Sequence, residues 1–361
     1  MSLRVVFFGA WDPGYPRNRI LRAGLAAAGV QVIEARVRAR RAVFRFPELV
    51  VRHARAVREA DIVFVPEFRH KDVPIARLLA GRKPVVFDPL VSRWDTLVRD
   101  WGLHAERSAQ ARWNRGLDRF ALRHADLVLC DTWEHGALFE RLGAPRERLH
   151  RVLVGAERDF FDVGPPDEDG PVTILYVGGF LPLHGVRHVI EAAEIMERAA
   201  DLPEFRFRLI GRGIDFDAVG KQVASLGLKR VVLEGPHPYS EAPPAFARAN
   251  IVLGAFGTTE KAGRVIPHKV YQGVAAGRAV VTGDSPAVRE VFTPGIHLWT
   301  VPHGDAEALA ESLMRLVRDR ALRAQTGARA RARALEVATP ERIGADLAAA
   351  LEALRSKPVG R

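Results

Sequence analysis

A single cysteine, Cys130, leaves no internal disulfide to make; set in the apolar run DLVLCD, it reads as a small buried hydrophobe in a reducing compartment. No stretch of about 18 apolar residues occurs, so no membrane-spanning helix is predicted. The apolar start MSLRVVFFGAW is too short for a secretory leader and reads as a first strand, which gives a cytoplasmic expectation. The first turn, GAWDPGYPRNR, lacks the G-x-G-x-x-G spacing of a dinucleotide-binding turn, and this disfavours hydride transfer. Zinc-spaced His/Cys clusters, a P-loop, a G-x-S-x-G elbow, fixed-period repeats and low-complexity tracts are all missing from the sequence. Asp215-Phe216-Asp217 has the form of a cation-holding D-x-D, but it heads a helix after GRGI, where aspartate suits the helix dipole; no metal and no cofactor are expected. Lysine is scarce, seven residues against 47 arginines, and the net charge is +11. That excess reads either as genome composition or as a surface for a polyanion or anionic lipid.

What is present is rhythm. In the first half, LRVVFFG, VQVIEA, DIVFVPE, PVVFDP, DLVLCD and LHRVLVG alternate with Arg/Ala/Leu-rich helical stretches. Short β-branched runs separated by helices predict a parallel sheet with crossover connections. The composition shifts near 165 to VGPPDEDGP, a linker signal, and the rhythm restarts with VTILYVGG, FRFRLIG, VVLEG, NIVLGAF, AVVTG and HLWTV. The expected fold class is α/β: two doubly wound, Rossmann-like parallel-sheet domains, residues 1–163 and 170–338, facing a cleft, with a helix over 340–355 returning to the first. The opening turn, with Gly14, reads as a small-residue loop before a helix that Gly29 ends.

Chemistry concentrates in AFGTTEKAGRVIPHKVYQGVAAGRAVVTGDSPAVREVF (255–292). Pro267 opens a helix that Gly277 closes, which puts Lys269 in the first turn and Gln272 one turn on. Bare N–H groups, a lysine beside them and Arg264 upstream form an anion site, whereas a solvated Lys269 would be disfavoured by the positive helix end. Asp284 or Ser285 caps a second helix start, with Glu290 beyond it as a sugar contact or a plain salt-bridge residue. In the first half, Asp88, Ser92, Arg93 and Asp95, and Asp131, Thr132 and His135, follow strand ends. Asp95 or Asp131 can orient or deprotonate an acceptor hydroxyl, or each can be a helix cap. The stretch 36–60, with eight arginines among Phe44, Phe46, Leu49 and Val50, reads as a loop and solvated helix face, or as an amphipathic segment on an anionic membrane; its aromatics form no stacking motif for nucleic acid.

In order and spacing, YVGGFLPLHGVRHVIEAA (176–193), RFRLIGRG (206–213) and VIPHKVYQGVAAGRAVVTGD (265–284) resemble the nucleotide-sugar-binding half of the retaining glycosyltransferases with the GT-B fold, family 4. The first half resembles the acceptor half more loosely, through its glycine loop, ADLVLCDT and LVGAERDFF. The resemblance implies donor contacts at Gly14, Gly178, Gly179, His184, Arg212, Gln272, Ser285 and Glu290, and catalysis by Arg264 and Lys269 with Asp95 or Asp131 on the acceptor side. Where the family has an Arg and a Lys on the donor diphosphate this chain has Gly179 and His184, and where it has two glutamates eight apart this chain has Arg264 and Gln272. The implied activity is a metal-independent hexosyl transfer, with retention, from a nucleoside-diphosphate sugar to a hydroxyl on a glycan, lipid-linked or small-molecule acceptor, by a cytoplasmic protein or one peripheral on the inner membrane. The missing charges keep a donor-binding pseudoenzyme or scaffold subunit open as a second reading, and a nucleotide-sugar epimerase of the same fold as a third.

Overall fold

The structure is a computed structural model that describes residues 2–38, 42–166 and 168–356. The chain divides into two compact units, Met1–Leu153 with Pro340–Arg361, and Val154–Thr339.

The first unit runs β1 (Arg4–Gly9), α1 (Pro16–Ala27), β2 (Gln31–Arg36), α2 (Ala42–Glu59), β3 (Ile62–Val65), α3 (Val73–Ala80), β4 (Val85–Phe87), α4 (Ala109–His124), β5 (Leu127–Cys130), α5 (Trp133–Leu142) and β6 (Leu149–Arg151). The second runs α6 (Arg158–Phe161), β7 (Val172–Val177), α7 (Val186–Arg198), β8 (Phe205–Ile210), α8 (Phe216–Leu226), β9 (Val231–Glu234), α9 (Ala242–Ala247), β10 (Ile251–Leu253), α10 (His268–Ala275), β11 (Ala279–Gly283), α11 (Pro286–Arg289), β12 (Trp299–Val301), α12 (Ala306–Arg318) and α13 (Arg320–Val337). A final helix, α14 (Pro340–Ser356), belongs to the first unit.

All twelve apolar runs named from the sequence are strands, in two six-stranded parallel sheets ordered β2-β1-β3-β4-β5-β6 and β12-β11-β10-β7-β8-β9. The residues of β3 and β4 are buried on both faces, which is why these strands read as continuous apolar runs rather than alternating ones. On one face of the first sheet, Val6, Phe8, Val63 and Phe87 pack with Leu49, Ala76 and Leu122 of α2, α3 and α4; on the other, Phe7 and Phe64 pack with Leu21, Leu25, Ile343 and Leu347. Gly24 and Gly344 let α1 and α14 touch backbone to backbone: a Cβ on Gly24 would stand 2.1 Å from the Pro340 carbonyl oxygen.

The Pro/Gly/Asp stretch after Asp162 lies inside the second unit. The residues ahead of it are anchored there by Phe160, edge-on to Phe246 at 5.1 Å, and by the Arg331 guanidinium, which donates to the Phe161 carbonyl. The switch in strand order falls between β1 and β3 in the first sheet and between β7 and β10 in the second. Loops at the carboxyl ends of such strands are where open α/β sheets bind ligands.

Within the basic stretch 36–60, Ala39, Arg40 and Arg41 lie outside the described residues. The rest is the end of β2 and the long helix α2. Leu49 and Val57 face the core, and Arg45 pairs with buried Asp72 at 2.8 Å. Phe44 and Val51, seven residues apart and so on one helix face, are 64% and 81% exposed, with exposed Arg55 one turn beyond. Among the described residues no helix is long and apolar enough to cross a membrane.

Candidate active site

The second unit's switch point is built from three loops. The first, after β7, carries Gly178 and Gly179; the second, after β8, carries Gly211, Arg212 and Gly213. These two are zipped together: the Gly178 N–H donates to the Ile210 carbonyl at 2.9 Å and the Phe180 N–H to the Arg212 carbonyl at 3.1 Å. Gly211 has φ +145°, and a Cβ there would stand 1.9 Å from the Gly178 carbonyl oxygen, so only glycine fits. The third loop follows β10 and leads into α10.

On α10, Pro267 is the extended residue before the helix, Lys269 lies in the first turn and Gln272 one turn on; Gly277, at φ +69°, closes the turn after it. The Lys269 ammonium is 4% exposed, hydrogen-bonds to no described residue and sits 3.7 Å over the Tyr176 ring. It presses against the glycine loop, where a Cβ on Gly178 would meet Lys269 Nζ at 3.1 Å. Burial pushes its pKa well below the usual 10.5. A buried cation with no carboxylate partner among the described residues, on a helix N-terminus, is a group whose charged form an incoming anion would stabilise.

His184 does not supply the charge that the diphosphate position calls for. Its Nδ1 faces the Gly179 carbonyl and lies 3.0 Å from the Tyr176 hydroxyl, which itself donates to that carbonyl. Burial, then the neighbouring Lys269 ammonium, holds the imidazole well below its usual 6.5, so it is neutral at pH 7. Its Nδ1–H is spent on the loop's own backbone, and positive charge here resides on the third loop, where Lys261, Arg264 and Lys269 are all buried. Arg264 Nη1 pairs with Glu260 Oε2 at 3.1 Å. Gln272 donates its amide to Glu157 Oε2 at 3.1 Å, leaving its carbonyl oxygen as the acceptor that faces other groups.

Ser285, not Asp284, caps α11, accepting the Val288 N–H at 3.1 Å; Asp284 instead pairs with Arg289 at 2.6 Å. Glu290, half-buried, ends that helix. Arg212 is exposed and lies 5.0 Å over the Phe216 ring. Beside it, a cavity of about 280 Å³ opens at the strand ends, lined by Gly178, Gly211, Arg212, Pro236, His237 and Glu241. Asp215 and Asp217 do not converge: Asp217 is exposed in the first turn of α8, and among the described residues no group of three or more His, Cys, Asp or Glu is arranged to hold a metal.

In the first unit, the strand ends gather a polar cluster. Arg17, fully buried, pairs with Asp88 at 2.8 Å and donates to the Val152 and Leu153 carbonyls. Asp131 accepts from His135 Nδ1 at 2.7 Å; the residue that caps α5 is Thr132, which accepts the His135 N–H at 3.1 Å. Asp131 is therefore an imidazole partner rather than a cap. Asp95 is neither an open base nor a helix cap. It is fully buried at the start of a one-turn π-helix, with its N–H on the Ser92 hydroxyl at 3.0 Å, in a loop whose Ser92, Arg93 and Trp94 are all held by Asp118. Gly14 is exposed, its N–H donating to Asp12 at 2.9 Å in an Asx turn.

Two residues beside these loops bear strain: Phe68, after β3, and Leu90, after β4, have φ +60° and +55°, costly for bulky side chains. Next to Phe68, Glu67 is 1% exposed and its Oε2 meets no described hydrogen-bond donor. Burial and the Asp88 carboxylate push its pKa up to about 8. Sequence reading missed Glu67, Tyr176, Lys261 and the PHP turn at 236–238, because none sits in a spacing that carries a signal of its own. Glu157 was visible only as part of LVGAERDFF.

Residues 157–333 match the family model of glycosyl transferases group 1. The matched segment is nearly the whole second unit and about half of the chain, and it contains every residue expected on the donor side except Gly14. Over 205 residues the chain is 28% identical to the amylovoran biosynthesis glycosyltransferase AmsK of Erwinia amylovora, a match covering 55% of this chain and 48% of the relative. The chain thus spans about half the length of the curated relatives it matches. Among solved structures, Anabaena Alr3699/HepE in complex with UDP and glucose superposes with TM-score 0.72 at 17% identity, covering 98% of this chain and 100% of that one. Sucrose-phosphate synthase of Thermosynechococcus elongatus gives 0.73 at 15%, covering 98% and 99%. These likenesses are in fold: two Rossmann-like parallel-sheet units in the GT-B architecture, with a group 1 segment in the second.

Proposed function

We propose that the protein transfers a hexose from a nucleoside-diphosphate sugar to an acceptor hydroxyl, with retention of configuration, as a family 4 glycosyltransferase. The observation that carries this reading is Lys269: a buried ammonium with no carboxylate partner among the described residues, on the first turn of a helix, against a glycine loop at a sheet's switch point. Lys269, with Arg264 and Lys261 on the same loop, would stabilise the leaving diphosphate, a role that otherwise falls to a divalent cation. The cavity beside Arg212 and His237 would take the base, and Gln272, oriented by Glu157, would accept from a ribose hydroxyl. Asp131, with His135, and Glu67 would face the acceptor hydroxyl. The name of the AmsK relative and the UDP and glucose bound to Alr3699/HepE support a polysaccharide acceptor and a UDP-sugar donor. They also favour transfer over the pseudoenzyme and epimerase readings.

The test is a transfer assay with UDP-, GDP-, ADP- and dTDP-sugars and glycan acceptors, chelator present, with the product anomer read by NMR. The expected result is one productive donor, a retained anomer and chelator-insensitive turnover that collapses in Lys269→Ala. Undiminished nucleotide release by Lys269→Ala would overturn the assignment of that residue, and donor binding without turnover across the panel would overturn the transferase reading.

The exposed Phe44/Val51/Arg55 face of α2 would bring the protein to an anionic membrane surface, on the cytoplasmic side where lipid-linked acceptors are built.

A further inference from the structure

The second unit holds a cavity of about 500 Å³ at the amino ends of β10 and β11, the opposite end of these strands from the Lys269 loops. Its walls come from the residues before β7, Asn250 just ahead of β10, the α10–β11 turn and α13. Four arginines line it, Arg278, Arg320, Arg323 and Arg331, and among the described residues the only carboxylate in the wall is Glu168.

Part of this arrangement is structural. Arg278, 1% exposed, donates Nε to the Phe246 carbonyl at 2.8 Å and Nη2 to the Ala247 carbonyl at 3.3 Å, capping α9, and also bonds the Gly164 carbonyl. Arg331 donates to the Ala275 carbonyl at 2.8 Å and to that of Phe161. Backbone carbonyls satisfy donors, but they do not neutralise charge. Glu168 is committed to Arg323 at 2.5 Å, with Arg320 at 3.8 Å. Arg278 and Arg331 are like charges close enough that, after burial, Arg331 is the next cause lowering the Arg278 pKa, to about 10, with the shared Glu168 acting against it. Arg323, 6% exposed, keeps its Nε without a described acceptor although both its other nitrogens are engaged. Four guanidinium groups round a cavity of ligand size, with one carboxylate among the described wall residues and a buried donor without a described acceptor, are complementary to a compact multivalent anion.

We propose that this cavity is a second anion site, separate from the donor site, that binds a small molecule through a phosphate or diphosphate group. Arg278 and Arg331 supply the fixed charge, Arg323 the buried donor, and Arg320, at the rim, the charge that meets the ligand first. The site shares α10 with Lys269: that helix begins beneath the glycine loop and ends at Ala275, whose carbonyl Arg331 holds.

The experiment uses the full chain carrying Lys269→Met, so that the donor-side anion site is disabled, and titrates inorganic pyrophosphate by calorimetry. One site per chain is expected, with affinity that falls as salt rises. Arg320→Glu, whose wild-type side chain is 71% exposed and cannot disturb the core, should weaken binding about tenfold or more. Arg323→Lys, which keeps a charge but loses the planar fork, should weaken it without altering the melting temperature by more than a few degrees. Absence of binding to Lys269→Met, or binding indifferent to Arg320→Glu, would overturn the proposal while leaving the donor-site reading untouched. To separate the source of the phosphate, vesicles containing phosphatidic acid replace pyrophosphate. Binding sensitive to Arg320→Glu with both probes marks a lipid phosphate, and with pyrophosphate alone a soluble one.

Discussion

Replacing Lys269 by methionine should make the protein more stable and less able to bind nucleotide at the same time. The ammonium is buried, hydrogen-bonds to no described residue and faces an aromatic ring rather than a carboxylate. Its pKa lies well below 10.5, so the folded protein holds that proton less firmly than the unfolded chain does, and folding carries a penalty. The cation–π contact with Tyr176 returns about 0.5–2 kcal/mol. By analogy with buried ion pairs, exchanging desolvated charge for apolar volume gains about 1–4 kcal/mol. Desolvation wins, because burial alone depresses the pKa and the ring contact is too weak to cancel it. A net gain of about 1 kcal/mol would raise the melting temperature by about 2–4 °C.

The pH dependence has a definite sign. Wild type carries the penalty in full below the folded pKa of Lys269 and sheds it as pH rises toward 10.5, where the unfolded chain also gives up the proton. The gap between variant and wild type is therefore widest at low pH and closes in alkali. Nucleotide binding moves the other way. Loss of a charge-assisted contact to the diphosphate, about 1.5–3 kcal/mol, weakens UDP by about 10–150-fold. Scanning calorimetry of the free proteins across pH, with UDP titrations at neutral pH, reads both effects. A variant that melts below wild type, or that binds UDP equally well, would refute the reasoning.

Glu67→Gln should leave stability unchanged near pH 4 and raise it at pH 8. The wild-type carboxyl stays protonated to about 8 when folded and ionises near 4.5 when unfolded, so wild-type stability drains away across that window; a thermal melt series in pH checks this. Gly211→Ala should cost at least about 2–3 kcal/mol and abolish UDP binding, because the added Cβ meets the Gly178 carbonyl at 1.9 Å and φ +145° suits no side chain; urea denaturation and calorimetry report the two losses. Phe44→Asp with Val51→Asp should lower cosedimentation with anionic vesicles by about tenfold or more while leaving the melting temperature within a few degrees, since both side chains already face water. Unchanged vesicle binding would remove α2 as the docking face.

The fold was legible because its signals are local and repeated. Each strand is a short β-branched run, and a parallel sheet buries such runs on both faces, so DIVFVPE and PVVFDP could hardly have been anything else. The placement of Lys269 and Gln272 on α10 was equally legible, since a proline before and a glycine after fix a helix to within a residue. What escaped was whatever depends on contacts between distant segments. Gln272 meets Glu157 across 115 positions of sequence, and no spacing announces that pair. Asp95 sits in a loop that invites a catalytic reading, but Asp118, on α4, gathers the Ser92 hydroxyl and the Arg93 and Trp94 N–H groups, and Asp95 is packed away beside it. His184 occupies a phosphate-contact position in sequence, yet Tyr176 and the Gly179 carbonyl capture its ring.

These particulars bear on how the protein can manage without the charges its resemblance leads one to expect. A cation at 184 would stand next to Lys269, which already helps to hold the imidazole neutral, so two ammonium groups in that position would repel each other in a site with little water. A neutral histidine resolves the conflict by serving the loop: it ties the Gly179 carbonyl down and leaves the open charge to Lys269. The carboxylate expected at 272 has likewise moved, to Glu157, where it fixes an amide that presents an oxygen in its place. At both positions the charge is relocated to a neighbouring segment while the chemical face shown to a ligand, a cation for phosphate and an acceptor for a hydroxyl, is kept. On the proposed reading, the departures from the family pattern are a rewiring of the donor site rather than its decay.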